Sequence, residues 1–134
     1  MDLIADTTFL VGLWRSQPWA LSFAKAHPTQ SLGIPWVVLG EFWHGALAAK
    51  HDPQIVQQFL SIGFPVLETE RIYPVYAKIC CELQQDSCYK KIGQNDLWIA
   101  ATALALQKPL LTKNRRHFEQ IQNLRLQIVG EAAS

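Results

Sequence analysis

The stretch that decides the fold lies at the start of the chain, where residues 3–14 read LIADTTFLVGLW. Leu3–Asp6 opens with three consecutive apolar residues, without the alternation of a half-exposed strand, and this predicts a short buried strand. Thr7 begins an apolar segment that we predict to be helical as far as about Trp14. A buried strand followed directly by a helix is typical of a parallel sheet covered by helices.

The same alternation of strand and helix recurs along the rest of the chain. Further strands are predicted at residues 31–35, 63–67, 109–112 and 126–129. Helices are predicted at residues 18–27, 36–50, 53–61 and 70–85, then from a cap at Asn95-Asp96 to residue 107, with a helical turn at 114–118. No repeat or linker interrupts the pattern, so we expect a single domain over residues 1–134. The predicted class is α/β with a central parallel sheet, whose ligands bind beyond the carboxyl ends of the strands.

Composition and charge exclude several classes of protein and give a clue to the partner. The chain has 134 residues, of which 49% are hydrophobic and 17% charged, and its net charge is +1. These values exclude a disordered chain, a coiled coil and a basic nucleic-acid-binding arm. The charge is unevenly distributed: residues 1–89 carry a net −3 and residues 90–134 a net +4. A basic second half is a clue to a polyanionic partner.

Cysteine usage and the amino-terminal sequence indicate a compartment. Cys80, Cys81 and Cys88 are odd in number and show no CxxC spacing, so we predict reduced thiols on a helix in a reducing cytosol. The first residues lack the basic region of a signal peptide. No segment approaches the roughly 20 apolar residues of a membrane span. We therefore expect a soluble cytoplasmic protein.

Four polar positions are candidates for chemistry. Asp6 ends the first strand, Asp96 begins the long apolar helix, Glu41 lies in an otherwise apolar helix, and Asn114 follows the strand that ends at Thr112. Each has an alternative interpretation. Asp6 could cap the Thr7 helix, Asp96 could interact with its helix dipole, and Glu41 could lie on a surface stripe.

Together these positions form a pattern that none forms alone. Carboxylates at strand ends and helix starts of one parallel sheet converge on its carboxyl edge, where they repel unless a cation neutralises them. Oxygen ligands suit Mg²⁺ or Mn²⁺. The four histidines show no zinc-ligand spacing. The sequence therefore predicts a hard divalent cation at this edge, able to activate water and to stabilise charge on a phosphate.

Three segments in order resemble the PIN-domain family. They are LIADTTFLVGLW from residue 3, IPWVVLGEFWHG from residue 34, and NDLWIAATALALQKPLLTKNRRHF from residue 95. The similarity covers nearly the whole chain and is closest to the VapC-like branch, the toxin components of bacterial toxin–antitoxin pairs. It implies a three-layer α/β/α sandwich and a Mg²⁺-dependent endoribonuclease. It also implies a cognate antitoxin and a homodimer as partners.

The resemblance also assigns roles to residues. It implies that Asp6, Glu41 and Asp96 bind the metal, and that Thr7 and Thr112 are hydrogen-bond partners that position carboxylates or water. The family usually has a further acidic residue where this chain has Asn114. An amide oxygen can coordinate a cation or hold water but adds no negative charge, so this departure bears most on a second metal site.

A basic run follows the last of these positions. Lys113, Arg115 and Arg116 could contact RNA phosphates, and Lys90 and Lys91 could extend the same patch. The alternative is an ordinary solvated helix face. The many aromatic residues could stack on bases, although aromatics at helical spacing more often belong to a core or an interface.

The helices that contain Trp14, Trp19, Trp36 and Trp43 are more apolar than a small domain needs. We interpret part of this surface as an interface for a second copy and for an antitoxin segment. Two other functions are alternatives. An aspartyl phosphotransferase would need a second Asp where Thr8 stands, and a non-catalytic PIN-like module binding RNA or protein would be compatible with Asn114.

Overall fold

A computed structural model of the protein describes residues 1–84 and 92–130. Its strands are β1 Leu3–Ala5, β2 Leu32–Pro35, β3 Phe64–Val66, β4 Leu110–Thr112 and β5 Leu126–Ile128. Its helices are α1 Thr7–Trp14, α2 Pro18–Ala26, α3 Trp36–Ala48, α4 Pro53–Leu60, α5 Ile72–Gln84, α6 Gln94–Leu106 and α7 Arg115–Phe118. The predicted alternation of strands and helices is confirmed throughout these residues.

The five strands form one sheet in the order β3-β2-β1-β4-β5. Every neighbouring pair is parallel, with Ile4 opposite Gly33 on one side of β1 and opposite Leu110 on the other. Helices provide the crossovers that parallel pairing requires. The predicted class, a central parallel sheet between helices, is confirmed, and the first strand of the sequence lies at the centre of the sheet.

Apolar side chains cover both faces of the sheet, as a parallel sheet between helical layers requires. Leu3, Ala5 and Leu111 belong to one buried cluster with Phe9 of α1 and Ala20 of α2. The alternate strand residues belong to a second, larger cluster, packed with residues of α3, α5 and α6; they include Ile4, Ile34 and Leu110. Successive side chains of a strand point to opposite faces, so this division accounts for the uninterrupted apolar run that predicted β1.

The largest difference from the predicted boundaries is at the start of α6. The helix begins at Gln94 with Gly93 as its N-cap, rather than being capped by Asn95 and Asp96. Gly93 is extended, and its carbonyl accepts the Leu97 N–H at 3.1 Å, so the first helical hydrogen bond forms before Asn95. The prediction of an Asn95-Asp96 cap was therefore wrong, and Asp96 is the third residue of the helix.

Other boundaries differ by one or two residues. β1 ends at Ala5, which leaves Asp6 as the N-cap of α1, and α5 begins at Ile72 with Pro74 in its first turn. Cys80 and Cys81 are free thiols in α5. Predictions for residues 85–91, which include Cys88, Lys90 and Lys91, lie outside the described residues.

The tryptophans differ in their exposure. Trp14, Trp19 and Trp43 are all half-buried, and the Trp14 ring packs against the core with its centroid 5.1 Å from that of Phe59. Trp36 is 41% exposed. The homodimer and antitoxin surfaces stay predictions. Among residues 1–84 and 92–130, no helix has the length and hydropathy needed to cross a bilayer.

Candidate active site

The fold brings the predicted carboxylates to the carboxyl edge of three adjacent strands. Asp6 directly follows the central strand β1, and its N–H donates to the Leu111 carbonyl of β4 at 3.2 Å. Glu41 lies in α3, the helix that follows β2. Asp96 lies in the first turn of α6, which leads back to the start of β4. The sheet order β2-β1-β4 therefore places all three at the same end of the molecule.

Asp6 is a buried carboxylate, only 3% exposed, and three groups donate to it. Oδ1 accepts the Phe9 N–H at 3.1 Å and the Thr8 hydroxyl at 2.7 Å, and Oδ2 accepts the Thr112 hydroxyl. The Phe9 contact makes Asp6 the N-cap of α1. Burial raises the pKa of the Asp6 carboxyl, and the hydrogen bonds oppose that rise. Asp6 therefore caps α1 and also lies at the carboxyl edge of the sheet, so its two predicted roles are compatible.

Glu41 is half-buried in α3, and one of its carboxylate oxygens accepts a hydrogen bond from a residue of α1. The Thr7 hydroxyl, at the start of α1, donates to Glu41 Oε1 at 2.9 Å. The two residues are 34 positions apart in the chain, so this contact depends on the packing of α1 against α3. The bond fixes the side chain of Glu41 relative to the strand end that carries Asp6.

Asp96 is paired with a histidine that the sequence analysis did not assign to the site. His117 Nδ1 lies 3.0 Å from Asp96 Oδ2, and the side chains are 54% and 27% exposed respectively. Burial raises the pKa of the Asp96 carboxyl, the charges of Asp6 and Glu41 raise it further, and His117 lowers it. The pKa of Asp96 is therefore sensitive to the charges of both other carboxylates at this edge. The signal available in the sequence was the position of His117 on the helical turn directly after Asn114.

Asn114 contributes through its backbone. Its N–H donates to Thr112 Oγ1 at 3.0 Å, and that hydroxyl in turn donates to Asp6. Asn114 is the N-cap of α7, but its side chain makes no capping hydrogen bond. A relay of two hydrogen bonds thus connects the backbone after β4 with the carboxylate after β1.

The basic residues that follow β4 differ in their surroundings. Lys113, Arg115 and Arg116 are all exposed beside the site. The Lys113 ammonium lies 4.3 Å from the centroid of the Trp19 ring, a cation–π contact with the half-buried indole of α2. Arg115 and Arg116 lie in α7, the short helix that carries His117.

The donor set fits a hard divalent cation. It consists of carboxylate oxygens with an amide nearby, and two of the carboxyls have a raised pKa because burial makes the charged form costly. Within the described residues, no three His, Cys, Asp or Glu side chains are close enough to ligate one ion together. Mg²⁺ commonly keeps several waters and takes only one or two direct carboxylates, so direct contact from all three is not required.

Comparisons with known proteins show the family to which the chain belongs. Residues 3–124 match the model of the PIN domain. The chain is 32% identical to Ribonuclease VapC of Rickettsia bellii (strain RML369-C), in an alignment that covers 92% of this chain and 93% of that protein. It is 28% identical to Ribonuclease VapC1 of Haemophilus influenzae (strain R2866) over 132 residues, covering 95% and 97%. The solved structure of VapBC-1 from nontypeable Haemophilus influenzae superposes with a TM-score of 0.79 at 26% identity, covering 96% of this chain and 98% of that one. The chain therefore belongs to the PIN domain family, with VapC ribonucleases among its relatives.

Proposed function

We propose that this protein is a Mg²⁺-dependent endoribonuclease that hydrolyses RNA phosphodiester bonds, with Mn²⁺ as a possible substitute. The observation that carries the proposal is the placement of Asp6, Glu41 and Asp96 at the carboxyl edge of the adjacent strands β2, β1 and β4. Two relatives that align over almost the whole chain are named ribonucleases, which supports RNA as the substrate.

Each residue of the site has its own role in this proposal. Asp6 and Asp96 would hold the cation, directly or through water, and Glu41 would ligate it or orient the attacking water. When bound, the cation lowers the pKa of water and offsets the charge that develops on the phosphate. Thr112 keeps Asp6 in place and Thr7 keeps Glu41 in place through the hydrogen bonds described above. Asn114 completes the polar rim.

The bond changes follow from in-line attack by water. The water oxygen forms a new bond to phosphorus and releases a proton, the bond from phosphorus to the 3′ oxygen breaks, and that oxygen takes up a proton. The phosphate thus stays on the 5′ end of the downstream fragment. Exposed Arg115 and Arg116, with Lys113 beside them, guide the RNA backbone toward the acidic edge.

The biological role that fits this activity is the toxin of a toxin–antitoxin pair acting in the cytoplasm. Support comes from the similarity to VapC-like proteins and from the fold shared with the VapBC-1 structure. The partners are then RNA, a cognate antitoxin protein and a second copy of this chain. Co-expression with the antitoxin should relieve the growth arrest that the chain alone causes.

The test is a ribonuclease assay on the purified protein with Mg²⁺, with Mn²⁺, and with EDTA. We expect cleavage only with metal, and loss of about 10²-fold or more in rate for Asp6→Asn and Asp96→Asn. Asp52→Asn is the matched control, because Asp52 is an exposed N-cap of α4 and Asn caps equally well. Undiminished cleavage in the two site variants would exclude the assignment.

A non-catalytic RNA- or protein-binding module is the second candidate, and the observation that favours it is Asn114 in the place of an acid. Such a module would bind RNA with EDTA or with Mg²⁺ and would leave every RNA intact. Asn114→Asp separates the two, since restoring an acid should raise metal affinity in a nuclease and leave RNA binding by a module unchanged.

A further inference from the structure

Each carboxylate at the sheet edge accepts a hydrogen bond from a side chain on a different element. Asp6 accepts from Thr112 of β4, and Glu41 accepts from Thr7 of α1. The family resemblance implies a positioning role for both threonines, but it implies no partner for Asp96. The structure supplies one in His117 of α7, with Nδ1 at 3.0 Å from Asp96 Oδ2.

The geometry of this pair has a consequence for ligation. A carboxylate has two oxygens with about four lone-pair directions, so a donor on one oxygen leaves the other able to bind a cation. Asp96 is in the first turn of α6 with 27% of its side chain exposed, and the bond to His117 restricts the orientation of its carboxylate. His117 is anchored for this purpose by its neighbour Phe118, which is 1% exposed.

We infer that His117 is a positioning residue for the metal site, whose Nδ1–H holds Asp96 Oδ2 so that Oδ1 is presented to the cation. This inference rests on the proposed function, because it names the residue that orders one of the proposed ligands. Hydrogen-bonding partners of metal ligands typically contribute about 10–100-fold in metal affinity. His117 acts through Asp96 and does not itself touch the cation.

Two substitutions separate positioning from direct ligation by the ring. His117→Ala removes the donor. His117→Asn keeps an N–H donor at the position of Nδ1 and removes the rest of the ring, so it restores positioning but could not replace a nitrogen ligand at Nε2. His27→Ala is the matched control, since His27 is an exposed histidine at the end of α2 that bonds its own helix through the Phe23 carbonyl.

The measurement is the Kd for Mn²⁺ of the purified protein, from the electron paramagnetic resonance signal of the free ion, with thermal unfolding in EDTA recorded beside it. We expect His117→Ala to raise the Kd about 10–100-fold. We expect His117→Asn to return it close to the wild-type value and His27→Ala to leave it unchanged. The unfolding midpoint in EDTA should be similar in all four proteins, because the pair is partly exposed.

Three results would overturn the inference. An unchanged Kd in His117→Ala would show that Asp96 needs no partner. A Kd in His117→Asn as weak as in His117→Ala, or a directly bound histidine nitrogen in the electron spin echo spectrum, would show that the ring itself is the ligand. Absence of Mn²⁺ binding in the wild-type protein would overturn the proposed metal site and this inference together, whereas the first two results leave the proposed site standing.

Discussion

Replacing Asp6 separates the structural contribution of this residue from its contribution to cation binding. Asp6→Asn keeps the shape of the side chain and removes its charge, and Asp6→Ala removes both. Asn and Asp are about equal as N-caps, so the Phe9 N–H and the Thr8 hydroxyl keep an acceptor in Asp6→Asn. The Asn amide can donate to Thr112 Oγ1, which has lone pairs for it beside the Asn114 N–H.

The expected stabilities follow from these contacts. In Asp6→Asn the two hydrogen bonds to Oδ1 become neutral and the bond with Thr112 reverses direction, while a buried charge is removed. These effects oppose one another, so we expect a change of about 1 kcal/mol or less in the free energy of unfolding without metal. In Asp6→Ala two buried donors, the Phe9 N–H and the Thr112 hydroxyl, lose their acceptor. We expect that variant to lose about 2–4 kcal/mol. For a domain of this length the loss corresponds to a fall of about 10 °C in Tm.

The assay is thermal unfolding of wild type and both variants, in EDTA and with Mn²⁺ at about 100 times the wild-type Kd. A ligand at that ratio stabilises the folded state by about 2.7 kcal/mol if it binds only the native protein. Wild type should therefore gain about 10 °C in Tm on addition of Mn²⁺. Asp6→Asn should start near wild type in EDTA and gain little.

Two outcomes would refute this reasoning. If Asp6→Asn were destabilised in EDTA as strongly as Asp6→Ala, the charge of Asp6 and not its hydrogen-bonding shape would stabilise α1. If Asp6→Asn gained as much stability from Mn²⁺ as wild type, Asp6 would not be a cation ligand.

Three further predictions concern stability. Gly45→Ala should raise the free energy of unfolding by about 1 kcal/mol, because the added Cβ in α3 meets nothing within 4 Å. Gly12→Ala should lower the free energy of unfolding by about 1–3 kcal/mol, because its Cβ would lie 2.5 Å from an indole carbon of Trp19. Chemical denaturation of the two variants measures both changes. Gln107→Gly should raise Tm by a few degrees while Gln107→Ala does not, since Gln107 ends α6 at φ 56° and ψ 44°, where only glycine lacks a Cβ penalty. In EDTA, the folded state has raised Asp6 and Asp96 pKa values and therefore binds more protons than the unfolded chain above the ordinary carboxyl pKa of 3.8. Stability should fall as pH rises through that window, so the stability of wild type minus that of the Asp6→Asn/Asp96→Asn double variant should decline from pH 4 toward neutrality. A difference that grows with pH would contradict the raised pKa values.

Much of the fold was predictable because it depends on short-range patterns. An uninterrupted apolar run followed by Asp6 and a Thr is enough to predict β1 and α1, and the parallel sheet follows from repetition of that unit. The prediction failed at Asn95, where two cap-forming residues stand in a row and the extended backbone of Gly93 decides the start of α6. Boundaries of this kind depend on one residue's backbone conformation, which composition does not determine.

The site was only partly predictable, since its contacts depend on the order of strands in the sheet. Asp6 and Thr112 are 106 residues apart and meet because β1 and β4 are neighbours. Packing of α7 against α6 brings His117 to Asp96, and no local spacing indicates that pair. Sequence patterns predicted carboxylates at strand ends and helix starts, and the family resemblance implied Thr7 and Thr112 as hydrogen-bond partners, whereas the contact of His117 became visible only in three dimensions.

The central claim is that the carboxylates at this edge bind a divalent cation, one or two of them directly and the others through water. The most direct measurement is anomalous X-ray diffraction from crystals of the protein soaked in Mn²⁺, with Asp96→Asn crystals as the comparison. We predict an anomalous peak within coordination distance of Asp6 or Asp96, about 2–2.5 Å for oxygen ligands, and its loss in the variant. A wild-type map with no peak at this edge, or with Mn²⁺ bound only elsewhere, would contradict the account.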